Sequence, residues 1–186
     1  SGTDALLISL KAINIRNGDE IITAANTAIP TISAIVNCGA KPKLVDVGDD
    51  YLMDTSKIEK LINKKTKAII PVHLYGQSCN MDKINKIAKK YNLKIIEDCA
   101  QAQGAKYRNR YVGTIGDFGC FSFYPTKVLG TYGDGGFIIT KNIKDYRKIK
   151  RLRFILCIIV FWQRTIVYAS YSTILYNWIS CLACAL

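Results

Sequence analysis

A lysine follows an apolar run and precedes a glycine-rich turn. Lys127 comes just after the run 118–123, and its neighbours Pro125, Val128 and Leu129 are apolar. These neighbours predict that the amine lies where water is scarce. Desolvation lowers the pKa of a lysine, and a neutral amine is the form that attacks a carbonyl to make a Schiff base. Lys127 is therefore the candidate nucleophile of this chain.

Two carboxylates stand at the end of an apolar strand pattern. Ile95 and Ile96 lead directly into Glu97 and Asp98. Sites in parallel sheets form at the carboxyl ends of strands, so this end is placed for chemistry. A Schiff-base lysine and an acid at a strand end are two parts of a pyridoxal 5′-phosphate (PLP) site. The structural alternative is that Asp98 only caps a following helix.

Helix and strand patterns alternate along most of the chain. Apolar spacing, caps and breakers predict helices over 1–15, 29–37, 55–63, 81–91 and 142–153. They predict strands over 20–24, 43–47, 67–72, 93–97, 119–123 and 137–140. Such alternation predicts βαβ units and an α/β fold, with a mostly parallel sheet sandwiched by helices. Asp98 and the turn that contains Lys127 should then share one edge of the sheet.

The composition is that of a globular domain with a basic surface. Of 186 residues, 49% are hydrophobic and 22% are charged, which predicts one packed core and no disorder. The net charge of +12 permits an anionic partner. However, lysines such as Lys83 and Lys86 have ordinary helical spacing, which indicates a solvated basic face. We find no basic and aromatic interleaving of a nucleic-acid module, so no nucleic-acid partner is expected.

Seven cysteines and one histidine are spread without a ligand pattern. The first four cysteines form no CxxC pair, and the spacing of Cys181 and Cys184 is attributed to chance. We therefore expect no metal site. An odd, unpatterned cysteine count fits a reducing compartment, so a cytoplasmic location is expected. His73, the sole histidine, is predicted to be structural.

The last part of the chain departs from the pattern. Residues 154–186 contain no glycine, proline or acidic residue, and residues 165–186 carry no charge. The latter segment meets the length criterion for a membrane span, but several Ser, Thr and Asn side chains disfavour one. We expect an aberrant apolar tail over 154–186, produced by a frameshifted or truncated gene. The chain opens without methionine, so residues before Ser1 are expected to be missing.

Eight short motifs occur in order with a family-like spacing. They are Ser1–Leu6, Gly18–Ile22, Gly39–Pro42, Val45–Asp46, Pro71–Gln77, Glu97–Gln101, Ser122–Lys127 and Gly133–Gly136. Any one motif is weak, but together they resemble the DegT/DnrJ/StrS family of PLP-dependent sugar aminotransferases. The resemblance covers residues 1–153. It implies the PLP-binding large domain of fold type I, incomplete and lacking its N-terminal start.

The resemblance assigns the phosphate of PLP to two places. It implies that Gly2 and Thr3, at the start of the first helix, bind the phosphate together with Ser122. A helix N-terminus offers free N–H groups and a favourable dipole to an anion. The structural alternative is a capping box between Ser1 and Asp4, and both can hold at once.

The other cofactor contacts are implied in the same way. Asp98 resembles the aspartate that pairs with the pyridine nitrogen, and Gln101 the residue that reaches the ring oxygen. Lys127 resembles the lysine that binds PLP covalently and later moves a proton. Many relatives stack an aromatic side chain on the ring, and Ala28 occupies that position here.

The implied function is transfer of an amino group, with glutamate as donor, to a keto-sugar nucleotide. The product would serve the synthesis of a polysaccharide or another glycan, and the full-length protein is expected to be a homodimer. Lys127 disfavours the dehydratase branch, in which this lysine is replaced. Two alternatives stay open: an inactive truncated fragment, and a membrane-tethered protein that is not an enzyme.

Overall fold

Alternating strands and helices build one seven-stranded sheet in the computed structural model, which describes residues 1–159 and 167–168. The helices are α1 (Gly2–Ala12), α2 (Ile29–Asn37), α3 (Met81–Tyr91) and α4 (Ile143–Ile159). The first strands are β1 (Glu20–Ala24), β2 (Lys41–Val45), β3 (Thr66–Ile70) and β4 (Lys94–Asp98). They are followed by β5 (Lys106–Tyr107), β6 (Arg110–Tyr111), β7 (Phe118–Ser122), β8 (Gly136–Thr140) and β9 (Val167–Tyr168).

The sheet is mostly parallel, as predicted. Its strand order is β2-β1-β3-β4-β7-β8-β9, and the first five strands run in one direction. Strand β8 is antiparallel to β7 and parallel to β9. Strands β5 and β6 form a separate hairpin. Because β8 runs backwards, its first residue lies at the same edge as the carboxyl ends of the parallel strands.

Both faces of the sheet are buried. Successive residues of a strand point to opposite faces, so neighbouring residues pack into different clusters. Ile69 and Ile70 of β3 are both fully buried but belong to different clusters. Ile70 packs with residues of α1, α2 and α4, whereas Ile69 packs with residues of α3. Continuous apolar strands covered on both sides are typical of parallel sheets. The sandwich of helices around the sheet is thus confirmed.

Helix α1 begins as predicted and ends earlier than predicted. Ser1 is its N-cap, and Ser1 and Asp4 form the reciprocal capping box. The helix ends at Ala12, not at residue 15, because Asn14 adopts a left-handed conformation with φ 61°. Lys148 of α4 donates hydrogen bonds to the Ala12 carbonyl and to Asn14 Oδ1, which satisfies the end of the helix.

The predicted helix over 55–63 is wrong. This segment contains only a single 3-10 turn, Glu59–Leu61. Asp54 does not cap a helix but accepts hydrogen bonds from the backbone and hydroxyl of Ser56. At the other end, Asn63 Oδ1 accepts from the Lys65 amide. Such local side-chain bonds compete with helical ones, and one turn of apolar spacing is too short to overcome them.

The remaining predicted elements agree with the structure to within a few residues, except at the end of the chain, and the short hairpin of β5 and β6 was not predicted. The basic helix predicted over 142–153 exists as α4 and continues to Ile159. Apart from the backbone of 154–159 and 167–168, the predicted tail lies outside the described residues. Within the residues that are described, no helix has both the length and the apolar character needed to cross a membrane.

Candidate active site

Several element ends meet at one edge of the sheet and enclose a cavity of about 270 Å³. Its wall includes the starts of α1 and α2 and the carboxyl ends of β4 and β7. All residues that were predicted for the site line it: Gly2, Thr3, Asp98, Gln101, Ser122 and Lys127. The structure therefore brings together residues up to 125 positions apart in sequence.

The start of α1 lies against the end of β7 at a distance that requires glycine. A Cβ atom added to Gly2 would lie 2.6 Å from the Cβ of Ser122, where no side chain fits. The first amides of a helix have no partner within it, and those of Gly2 and Thr3 are at the cavity wall. Ser122 Oγ accepts from the Tyr124 amide at 3.3 Å, so its proton is available to an acceptor. These donors can bind an anion.

Asp98, the last residue of β4, presents a buried carboxylate to the cavity. Its Oδ1 accepts from the Ala100 amide at 3.1 Å, and its Oδ2 accepts from Thr31 Oγ1 at 2.8 Å. Burial raises the pKa of Asp98, while these hydrogen bonds and the nearby charge of Lys127 act in the opposite direction. Turns rather than a helix follow Asp98, so the helix-capping alternative is wrong.

Lys127 is half-buried on the loop between β7 and β8. Its backbone amide donates to the Tyr124 carbonyl at 2.8 Å, which closes a tight turn. The prediction of dry apolar flanks is wrong: Val128 is 86% exposed and Leu129 is 60% exposed. The reason is that the loop extends beyond the sheet, where no described element covers it. The amine therefore belongs to a cavity with an open side.

Gln101 and Ala28 lie at the cavity where the resemblance implied a ring contact. The backbone carbonyl of Gln101 accepts from the Gly76 amide at 3.0 Å, which ties its turn to the turn that follows β3. Ala28 is the N-cap residue of α2 and makes no side-chain cap bond. It contributes only a methyl group to the wall.

His73 is fully buried, as a structural histidine would be, and it does not line the cavity. Its Nδ1 accepts from the Cys79 amide at 3.1 Å, so the ring proton is on Nε2, which lies 3.0 Å from Glu97 Oε2. His73, Glu97 and Cys99 bring possible metal ligands within 4.8 Å of one another. Both ring nitrogens and both Glu97 oxygens already have hydrogen-bond partners, so this cluster is explained without an ion.

Glu97 accepts four hydrogen bonds although it points away from the cavity. Besides His73, the donors are the backbone amides of Gly113, Ile115 and Gly116, at 2.6–2.8 Å. Burial by itself raises the pKa of Glu97, but the bonds from His73 and the amides outweigh it and the pKa falls below its usual value. Glu97 is thus an ionised anchor for the loop that precedes β7.

Two site residues were missed by the sequence reasoning. Thr31 donates to Asp98, and Thr27 Oγ1 donates to Thr31 Oγ1 at 2.7 Å. Both threonines line the cavity at the start of α2. The Thr31–Asp98 contact joins residues 67 positions apart, so no local pattern could have revealed it.

The chain is similar to known sugar aminotransferases along most of its length. A dTDP-3-amino-3,4,6-trideoxy-alpha-D-glucose transaminase from Micromonospora megalomicea subsp. nigra is 48% identical over 83% of this chain and 41% of the relative. The aminotransferase from Psychrobacter cryohalolentis is 43% identical, with a TM-score of 0.78 over 80% of this chain and 38% of that one. NtdA from Bacillus subtilis, solved with the cofactor PMP, is 38% identical, with a TM-score of 0.78 over 83% of this chain and 35% of that one.

These structural neighbours share the mostly parallel sheet with flanking helices that is the large domain of fold type I. The chain spans about two fifths of the length of the curated relatives it matches. The model of the DegT/DnrJ/EryC1/StrS aminotransferase family matches residues 1–165. With this match added to the cavity and the sheet, the chain belongs to the DegT/DnrJ/EryC1/StrS aminotransferase family.

Proposed function

We propose that the full-length protein is a PLP-dependent aminotransferase that acts on a keto-sugar nucleotide. The observation that carries the proposal is the meeting of Lys127, Asp98 and the start of α1 in one cavity. The amine matches the aldehyde of PLP, and the buried carboxylate matches its pyridine nitrogen. The anion-binding amides match its phosphate. This donor set therefore fits the cofactor that the family implies.

Each residue then has a defined task. The amides of Gly2 and Thr3, with the hydroxyl of Ser122, bind the phosphate. Asp98 stabilises a proton on the ring nitrogen, and Gln101 contacts the ring oxygen. Lys127 Nζ holds the cofactor covalently and, once released, moves a proton on the substrate. PLP when bound supplies an electron sink for the transfer.

The substrate class and the partner rest on the relatives. The Micromonospora relative is named for a dTDP-sugar, which supports a sugar nucleotide as substrate here. We further propose glutamate as donor, a cytoplasmic location and a homodimer that covers the open side of the cavity. Val128, Leu129 and the fully exposed Tyr132 lie on the Lys127 loop, and such side chains are typical of a surface that a partner buries.

The proposed covalent site is tested with PLP itself. The protein is mixed with PLP, the absorbance of the bound cofactor is recorded, and the complex is reduced with borohydride and digested for mass spectrometry. We expect the label on Lys127 and its loss in Lys127→Arg, which keeps the charge. Lys141→Arg, a change at an exposed lysine beyond β8, should retain the label. A label on another lysine would refute the assignment.

We also propose that residues 1–153 form the core of the PLP-binding large domain and that residues 154–186 are an aberrant tail. The departure in composition after Arg153 supports this boundary. The proposal is tested by sequencing the gene around codon 153. An insertion or deletion relative to the frame that encodes a complete relative is expected, and an intact frame would contradict it.

An inactive protein is the second candidate, favoured by the departure in composition over residues 154–186. It predicts covalent PLP binding without amino transfer. Transfer of the amino group from glutamate to bound PLP in a single turnover would exclude it.

A further inference from the structure

We propose that Thr31 is a positioning residue for Asp98, and that Thr27 supports Thr31 through a hydrogen bond. The inference rests on the proposed function, since its target is the carboxylate that would face the ring nitrogen of PLP. The three side chains line the same cavity, although two are on α2 or just before it and one ends β4.

The hydrogen bonds run in one direction, toward the carboxylate. Thr27 Oγ1 donates to Thr31 Oγ1 at 2.7 Å, and Thr31 Oγ1 donates to Asp98 Oδ2 at 2.8 Å. A hydroxyl that accepts one hydrogen bond becomes a better donor for the next. The bond from Thr27 therefore strengthens the bond from Thr31 to Asp98. Thr31 is 1% exposed, so water does not substitute for this contact.

The start of α2 shows that these hydroxyls serve Asp98 and not their own helix. Threonine near a helix start commonly accepts from the free amides of the first turn. Here the N-cap is Ala28, and α2 has no side-chain cap bond although Thr27 precedes it and Thr31 lies in its first turn. The helix thus lacks a side-chain cap, while Thr31 Oγ1 donates to the carboxylate of Asp98 and Thr27 Oγ1 donates to Thr31.

The two bonds to Asp98 determine which part of the carboxylate remains available. An ionised carboxylate has about four lone-pair sites. The Ala100 amide occupies one on Oδ1 and Thr31 one on Oδ2, which restrains rotation of the group. The unoccupied sites can accept a proton-bearing nitrogen. A carboxylate with one donor fewer would turn more freely and would be less stable as an anion.

This role differs from simple packing in its effect on bound PLP. A positive ring nitrogen disfavours a second positive charge on the nitrogen that links Lys127 to the cofactor, because like charges repel. If Asp98 holds the ring charge less well, the linking nitrogen keeps its proton to higher pH. The pH at which the absorbance of bound PLP changes is therefore a readout that packing alone would not move.

The test compares Thr31→Val with three matched variants. Thr31→Ser keeps the hydroxyl that donates to Asp98, and Thr27→Val removes only the hydroxyl that donates to Thr31. Thr23→Val is the packing control, since Thr23 is equally buried but donates to the Ile70 carbonyl outside the cavity. For each protein the PLP dissociation constant is measured by equilibrium dialysis, and the absorbance of bound PLP is titrated with pH.

We expect Thr31→Val to bind PLP roughly tenfold more weakly, the loss of one bond to a charged group, and to change absorbance at higher pH. Thr27→Val should shift in the same direction by less, while Thr31→Ser and Thr23→Val should match the unaltered protein. An unchanged titration in Thr31→Val, or equal losses in Thr31→Val and Thr23→Val, would overturn the inference. If Thr31→Val does not fold, a Thr27→Val variant whose pH titration is unchanged would overturn the inference.

Failure of the proposed function has a different signature. The unaltered protein would then take no borohydride-stable label at Lys127. Asp98 would have no PLP to face, so the positioning role would fail as well. Labelling at Lys127 together with an unshifted Thr31→Val would overturn the positioning role alone.

Discussion

Two adjacent carboxylates on β4 have opposite environments at the scale of single residues. Glu97 and Asp98 are both buried, but they point to opposite faces of the sheet. Glu97 accepts four hydrogen bonds and its pKa is lowered, whereas Asp98 accepts two and its pKa is raised. Glu97 is satisfied by the fold, and Asp98 keeps capacity for a ligand. The strand pattern alone did not separate the two acids, because neighbouring acids give no sign of which one faces the cavity; the family resemblance singled out Asp98.

Replacement of Glu97 by glutamine should destabilise the protein by about 3 kcal/mol. Each carboxylate oxygen accepts two hydrogen bonds, so either amide orientation sets an NH₂ group against N–H donors. Urea unfolding measures the effect. The control is Glu59→Gln, at an exposed glutamate that contacts Lys90 and Tyr91, and it should change stability little. Equal stability of Glu97→Gln and the unaltered protein would contradict the anchor role.

The same residue makes a signed prediction for pH. Because folding lowers the pKa of Glu97, its stabilising effect is present above the unfolded value, roughly 4.3, and is lost as pH falls through the folded value. The unaltered protein should therefore lose stability over this acidic range more steeply than Glu97→Gln. Parallel curves for the two proteins would argue that Glu97 is not ionised in the fold.

At the scale of elements, the contact between α1 and α4 closes a helix end without glycine. Lys148 of α4 donates to the Ala12 carbonyl and to Asn14 Oδ1, where free carbonyl groups and the helix dipole favour a cation. The predictions for α2, α3 and β1 had the observed bounds, since their apolar patterns, the Asn80 cap of α3 and the proline in the first turn of α2 are local signals. The end of α1 and the missing helix at 55–63 were mispredicted, because a distant lysine and competing side-chain bonds decided them.

Lys148→Met should cost about 1 kcal/mol of stability, since it keeps the aliphatic stem but leaves the end of α1 without a donor. The loss should be smaller at high salt if charge contributes to it. Thermal unfolding measures both effects. Lys150→Met, at an exposed position on the same helix, is the matched control. Equal losses in the two variants would show that the contact does not stabilise α1.

For the whole molecule, the apolar clusters around the sheet bury reactive thiols. Cys79, Cys99 and Cys120 are buried, and Cys38 is partly buried. Burial raises the pKa of Cys38 to about 11 and that of Cys79 to about 12. The cysteine pattern in sequence indicated no pairing, and these four are free thiols. Their burial depends on tertiary packing, which spacing alone does not predict.

These four thiols should resist a thiol-specific reagent at pH 8 in the folded protein, and the three buried ones should react together on unfolding. The thiolate is the reactive form, and raised pKa values keep it scarce. Labelling is followed residue by residue with mass spectrometry across a urea series. Cys38 should react first among them, since it alone of the four is partly exposed. Rapid labelling of Cys120 without urea would contradict the packing of α1 on β7.

The close approach of α1 to β7 and β8 also sets the order in which the cavity can form. Ser9 contacts Cys120 across 111 positions, and a Cβ on Gly136 would lie 2.4 Å from the Ser1 carbonyl. During synthesis, α1 leaves the ribosome long before its two partner strands exist. Although α1 can pack on α2 earlier, its contacts with β7 and β8 cannot form until β8 emerges, and closing so long a loop slows folding. A cofactor that binds this cavity can therefore stabilise only a chain that has already been made past residue 136.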